Sequence, residues 1–381
     1  MIRLISNIER ITSKIPIIGG AIAFFLIDFV IGILAFPWWI KHLRGLLHTN
    51  HLMYEAIKHP VNDTSSGIPG ISRLVAETTA MQSAFRHLRR DLLDGNGQAV
   101  NRPIESTRNS GAFRIDPQVR VVEEVAQRRA PIDTRNRLPR LSDWSVETPL
   151  SKMMSTLGEP HTIHRKMWEY AICVEGMKDM GLFTPDAKAI AVGAGSERPL
   201  YYFANTLDRM VATDLYDNPQ HEGTPDMLSS PEKFAPFPYR HEKLEVYRMG
   251  GDALDFPTGA FDYAFCLSSI EHFGSREIQR KSFEEMIRVV KPGGGLCIIT
   301  EVILNGEVHP EYFTPSEIHD MFLTNAHAKL DGGPIDLTIT DAQIACIIDV
   351  RNPIDIRSGP HVLLTDGKVL WTSLSLFFRR I

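Results

Sequence analysis

The stretch Ala189-Ile-Ala-Val-Gly-Ala-Gly-Ser-Glu-Arg198 constrains this chain more than any other. Residues 189–192 are a short apolar run that reads as a buried strand. The run opens directly into Gly193-Ala194-Gly195, where two glycines let the backbone turn tightly and come close to a ligand. Leu200, Phe203, Ala204 and Leu207 then fall at i, i+3, i+4 and i+7, one apolar face of a helix. A second strand over residues 210–213 ends on Asp214, 19 residues beyond Gly195. Strand, glycine turn, helix, strand, acid is the first half of a nucleotide-binding α/β unit, with the acid placed to hold ribose hydroxyls.

A dinucleotide dehydrogenase needs a third small residue where this chain has Arg198, so that fingerprint is incomplete. The residues beyond the second strand point elsewhere. Gly251-Asp252-Ala-Leu-Asp-Phe-Pro257, Phe261-Asp-Tyr-Ala-Phe-Cys-Leu-Ser-Ser269, Ile270-Glu-His-Phe-Gly274 and Phe283-Glu-Glu-Met-Ile-Arg-Val-Val-Lys-Pro-Gly-Gly-Gly-Leu296 succeed one another in order. In sequence and spacing these resemble the third motif, fourth strand, following loop and helix-to-strand turn of class I S-adenosylmethionine-dependent methyltransferases. The resemblance covers residues 185–305, and Glu197 departs from the third glycine of many members. It implies a Rossmann-like α/β domain over residues 161–381, a mostly parallel seven-stranded sheet with helices on both faces. S-adenosyl-L-methionine is the implied cofactor. The resemblance places it on Gly193, Ala194, Gly195 and Glu197 at the turn, Asp214 and Leu215 after the second strand, Asp252 and Ala253, and Ser268 and Ser269.

Within that half, residues 164–180 read as a helix with Met167, Tyr170, Ala171, Val174 and Met177 on one face. Another helix is expected over 277–290, broken by Lys291-Pro-Gly-Gly-Gly295 before a strand over 296–302. The long polar stretch between Tyr216 and Leu244 reads as a binding loop. Thr314-Pro-Ser-Glu317 is a capping box that starts a helix. Asp366-Gly367 between two apolar runs signals a hairpin, expected to supply an antiparallel edge strand. Cys173, Cys266, Cys297 and Cys346 are scattered without a C-x-x-C, so free buried thiols are expected, and no metal-ligand spacing occurs.

The front of the chain is different. Residues 15–40 are an apolar run broken only by Asp28, with Trp38-Trp39 and then Lys41 near its end. As a helix it spans roughly 39 Å, enough to cross a bilayer. Residues 1–45 are therefore expected to be a membrane anchor, either crossing once or bending back at Asp28 and Gly32. Residues 46–95 read as helical. Ile71, Leu74, Thr78, Met81, Phe85, Leu88 and Leu92 alternate steps of three and four, a short coiled-coil seam. That seam over residues 71–92 fits a homodimer contact and fits equally a helix packed on its own chain. Residues 96–160 lose periodicity, carry nine arginines between Arg102 and Arg140, and read as a solvated linker with one helix over 119–128. Residues 1–160 hold 20 Lys and Arg against 15 Asp and Glu, leaving 21 against 31 for the rest. A basic front with an acidic enzyme half suits an anionic membrane surface, and no nucleic-acid motif accompanies it.

Anchor, basic linker and methyltransferase domain together resemble enzymes that modify bacterial cell-surface polysaccharides. That implies a glycan or lipid-linked glycan acceptor, and an inner (cytoplasmic) membrane location with the catalytic domain facing the cytoplasm, where S-adenosylmethionine is made. A quinone or membrane lipid suits the anchor as well; a non-catalytic scaffold would not need Gly193, Gly195, Asp214 and Asp252. An alcohol acceptor must lose its proton, and a base with pKa near neutrality suits that task. His272, just past the fourth strand with Glu271 beside it, is the first candidate, and His309 after the fifth strand is the second.

Overall fold

The computed structural model describes residues 113–381, apart from 131, 161, 218–224 and 353–359. The anchor expected at 1–45, the helical region at 46–95 with its seam at 71–92, and residues 96–112 lie outside the described residues. Among the described residues no helix is long and apolar enough to cross a membrane.

In chain order the elements begin with β1 (Arg120–Val122), α1 (Glu124–Arg129), α2 (Pro149–Thr156) and α3 (Arg165–Asp179). The nucleotide-binding half-unit comes next as β2 (Lys188–Val192), α4 (Arg198–Thr206) and β3 (Arg209–Asp214). Then come β4 (Leu244–Arg248), β5 (Phe261–Leu267), α5 (Arg276–Val289) and β6 (Val290–Ile303). The chain ends with α6 (Pro315–Ile318), β7 (Ala328–Leu330), β8 (Thr338–Thr340), α7 (Asp341–Ala345), β9 (Ile348–Asp349), β10 (Leu364–Thr365) and β11 (Leu370–Arg380).

One nine-stranded sheet organises them, in the order β4-β3-β2-β5-β6-β11-β10-β9, with β7 also on β11. From β4 to β6 every neighbour is parallel. Strand alternation divides the core in two. Ala189, Ala191, Tyr263, Phe265 and Leu267 face α3 and α4, with Trp168, Cys173, Met177, Leu200 and Phe203. Ile190, Val192, Ala264 and Cys266 face α5, with Phe283, Met286 and Ile287. Helices therefore cover both faces, as a parallel sheet requires. All four cysteines are buried.

Four expectations need correction. Among the described residues the sheet has nine strands rather than seven. The strand after Asp366-Gly367 is interior: β11 runs antiparallel to β6 from Trp371↔Ile303 to Arg379↔Gly295, while β10 and β7 take its other edge. A hairpin signal identifies the turn but not which strand lies beyond it. Lys291-Pro-Gly-Gly-Gly295 does not separate helix from strand; it is a bulge within β6, whose register jumps from Phe261↔Val290 to Tyr263↔Gly295.

The last correction is the linker. From residue 113 it is built into the fold. β1 pairs in parallel with β8, which leaves the helix only Glu124–Arg129. Arg137 and Arg140 are buried rather than solvated. Arg137 grips Asp143 with both guanidinium nitrogens, at 2.8 and 2.9 Å. Asp143 also accepts the Arg140 backbone N–H at 2.9 Å and the Trp168 indole N–H of α3 at 2.7 Å. The Asn136 amide nitrogen donates to the carbonyls of Asp331 and Gly333, and its oxygen accepts the Phe377 N–H of β11. Polar side chains thus clip this stretch to the sheet, which apolar periodicity could not signal.

Candidate active site

The carboxyl ends of β2, β3, β5 and β6 meet on one edge of the sheet, where ligands of such folds lie. Gly193 and Gly195 both have positive φ, 68° and 48°, so the turn needs residues without a Cβ. A Cβ on Gly193 would sit 2.7 Å from Ser269 Cβ and 2.8 Å from the Phe273 ring. Ser269 Oγ donates to the Gly193 carbonyl at 2.8 Å, tying the ends of β2 and β5 together.

Asp214 closes the other side. One carboxylate oxygen accepts the Gly195 N–H and the other the Tyr216 N–H, each at 3.0 Å. Each oxygen can accept twice, so one position on each is left for a ribose hydroxyl. Leu215 beside it is exposed. Asp252 is partly exposed and lies 3.5 Å from Lys281, and the Ala253 N–H donates to the Gly250 carbonyl at 3.3 Å. Ser268 has φ 50°, and its Oγ is buried without a hydrogen-bond partner among the described residues. Glu197 is buried at the start of α4, 3.6 Å from Lys166.

Lys166 leads into a buried charge cluster that no motif or periodicity discloses. Arg165 Nη1 donates to Glu301 on β6 at 2.5 Å, to Glu169 at 2.9 Å and to Ser373 Oγ on β11 at 2.9 Å. Ser373 Oγ donates in turn to Glu169 at 2.5 Å. Lys166 Nζ lies 3.1 Å from Glu169 and donates to the Leu267 carbonyl at 2.9 Å. Burial opposes the Lys166 charge, yet Glu169 and Glu197 outweigh it and hold its pKa above the usual lysine value. Burial likewise works against the Glu169 carboxylate, but Lys166 and Arg165 bring its pKa below the usual range. Glu301 goes the other way: burial raises its carboxyl against the pull of Arg165. The one signal in the sequence is Arg165, Lys166 and Glu169 together at the start of an otherwise apolar helix, with Glu301 closing an apolar strand.

The three acid–base candidates part company. His272 is half exposed, and its Nδ1 lies 3.1 Å from Glu311, so the carboxylate facing the imidazole is Glu311 and not Glu271. Glu271 is fully buried and accepts the Thr300 hydroxyl at 2.9 Å. His309 holds its own loop: Nδ1 accepts the N–H groups of Glu311 and Tyr312 at 3.2 Å, and its ring stacks on Tyr312 at 4.1 Å.

Comparison with known proteins bears on the same region. A family model described as a methyltransferase domain matches residues 190–298, from inside β2 to inside β6. Gly193, Asp214, Asp252, Ser269, Glu271 and His272 fall within it; Arg165, Glu301 and Glu311 do not. No curated protein sequence matches the chain. Among solved structures, YcgJ from Bacillus subtilis is 16% identical, covers 55% of this chain and 97% of its own, and has a TM-score of 0.37. A S-adenosylmethionine-dependent methyltransferase from Aquifex aeolicus is 18% identical, covers 60% and 97%, and scores 0.35. The 1,6-didemethyltoxoflavin-N1-methyltransferase of Burkholderia thailandensis, solved with S-adenosylhomocysteine bound, is 16% identical, covers 57% and 79%, and scores 0.36. Such scores carry no argument, and the family model speaks for residues 190–298 alone.

Proposed function

We propose that this chain, whose residues 190–298 match a methyltransferase domain, uses S-adenosylmethionine, is held at the inner membrane and methylates a hydroxyl of a cell-surface polysaccharide sugar or its lipid-linked precursor. The residues at the sheet edge fit the cofactor. Gly193 and Gly195 would give it a backbone surface free of side chains, Asp214 keeps two acceptor positions for the ribose, and Asp252 with Ala253 would meet the adenine. S-adenosylmethionine supplies an electrophilic methyl group on a sulfonium.

The chain's own residues align the acceptor and take its proton. The observation that carries a hydroxyl acceptor is the His272 corner, where a half-exposed imidazole and Glu311 stand over the buried Glu271 and Glu301. The apolar run at 15–40 and the basic residues after it support attachment to an anionic membrane, with this domain on the cytoplasmic side. Full-length protein in vesicles, given radiolabelled S-adenosylmethionine and a lipid-linked glycan extract, is expected to label the glycan. Label in the quinone or phospholipid fraction would replace the acceptor. No calorimetric binding of S-adenosylmethionine would leave only a scaffold. Carbonate washing is expected to leave the protein in the membrane fraction, and release by salt alone would replace the anchor with surface attachment.

A further inference from the structure

Glu271, His272 and Glu301 each offer one ligand atom, and these three atoms lie within 4.8 Å of one another. Glu271 and Glu301 are both more than nine-tenths buried, whereas His272 opens to solvent. Each side chain is held by one atom and open at another. Glu271 Oε2 accepts the Thr300 hydroxyl, while Oε1 is buried with no hydrogen-bond partner among the described residues. Glu301 Oε1 accepts from Arg165, while Oε2 is likewise buried with no hydrogen-bond partner among the described residues. His272 Nδ1 meets Glu311 at 3.1 Å; donation there leaves the lone pair on Nε2.

Buried carboxylate oxygens without partners are costly. An arrangement in which each candidate ligand is held through one atom by a hydrogen bond and keeps another unpartnered is that of a metal site with its outer shell in place. We infer that Glu271, His272 and Glu301 bind a divalent cation, with Thr300, Arg165 and Glu311 orienting the three ligands. Tetrahedral bonds of about 2.0–2.2 Å put two ligands of one ion about 3.3–3.6 Å apart, so within the 4.8 Å limit the group closes by at most about 1.5 Å. Two carboxylates with one imidazole favour Mn2+ or Zn2+ over the all-oxygen preference of Mg2+. Three protein ligands leave positions open, as in sites that take a substrate oxygen. The inference rests on the reading that the acceptor hydroxyl binds at this corner: the cation would hold that oxygen, and His272 would act as ligand.

The test uses full-length protein stripped with EDTA and titrated with Mn2+, monitored by loss of the free-ion electron paramagnetic resonance signal. Saturation at one Mn2+ per chain, competed by Zn2+, is expected. His272→Ala, a surface change that leaves the core intact, and Glu271→Gln, which keeps the Thr300 hydrogen bond, are each expected to weaken binding at least tenfold. Glu311→Gln, acting only through Nδ1, is expected to weaken it about 10–100-fold. No saturable binding by the wild type, or equal binding by wild type and His272→Ala, overturns the site. S-adenosylmethionine affinity is measured on the same stripped protein. Its loss would count against the methyltransferase reading, whereas retained cofactor binding with no Mn2+ binding would count against the cation alone.

Discussion

Helix α3 takes part in two buried charge clusters that differ in one respect. At Arg137 and Asp143 both carboxylate oxygens are partnered: together they take four hydrogen bonds, from two guanidinium nitrogens, one backbone N–H and Trp168. Around Arg165 and Glu301 valences stay open, with Glu271 Oε1 and Glu301 Oε2 buried and unpartnered among the described residues. Burying a charge costs free energy unless its partners are complete, so a closed cluster stabilises its surroundings only by being whole. An open one is tolerated where something else is meant to enter. The first cluster clips residues 113–160 to the sheet; the second lies where the strands end.

That difference is tested most sharply at His272. His272→Ala is expected to lose on the order of 10²–10⁴ in turnover, whether the imidazole takes a proton or holds a cation. Being half exposed, it should move stability by no more than about 0.5 kcal/mol and leave S-adenosylmethionine affinity alone. Full activity in this variant would remove the open cluster from the chemistry. Asp143→Ala should do the reverse. It strands the Arg137 guanidinium at 3% exposure, which costs about 3–5 kcal/mol. Urea unfolding checks the loss, and cofactor affinity of the folded fraction should not change. An unaltered midpoint would show that the closed cluster holds nothing together.

Asp214 lies between the two cases, because its oxygens are half used. Asp214→Ala removes charge-assisted hydrogen bonds worth about 1.5–3 kcal/mol, so calorimetry should find S-adenosylmethionine bound about 10–100-fold more weakly. Unchanged affinity in a folded variant would mean that the carboxylate serves only the Gly195 and Tyr216 N–H groups.

The same contrast separates what the sequence discloses from what it hides. Gly193, Gly195 and Asp214 were legible because a positive φ, a crowded Cβ and an acid at a strand end are local demands met by particular residues at fixed spacing. The capping box at Thr314 and Glu317 and the hairpin turn at Gly367 were legible for that reason too. Arg165 meets Glu301 and Ser373 across 136 and 208 residues, and no periodicity links them. Arg137 and Asp143 are close in sequence, yet their proline- and arginine-rich setting has the composition of a solvated linker. The position of β11 was hidden likewise, since a turn says nothing of the strand on the far side. His272 was named from the sequence without its neighbour Glu311, because that loop returns only after β6.

The smallest effect tests how the open cluster is held. His164 caps α3 with a neutral imidazole whose Nδ1 accepts the Lys166 N–H at 3.1 Å, and its ring stacks on His361 at 4.1 Å. Burial, then the Arg165 charge, brings the His164 pKa down to about 4. Burial, then His164 and Arg165, brings His361 down to about 3. Both values lie below those of the unfolded chain, so unfolded protein binds the extra protons and stability falls as pH drops through about 6.5. Between pH 7.5 and pH 6 the pair should lose on the order of 1–2 kcal/mol by this linkage. Glu301, raised by burial, contributes with the opposite sign, so wild type alone does not isolate the histidines. The comparison is with His361→Asn, which removes one titrating ring and leaves the His164 cap. Its stability should fall about half as steeply over that window in urea unfolding. Equal slopes would mean that the stacked pair stays charged in the fold, and that α3 presents Arg165 and Glu169 without a neutral cap.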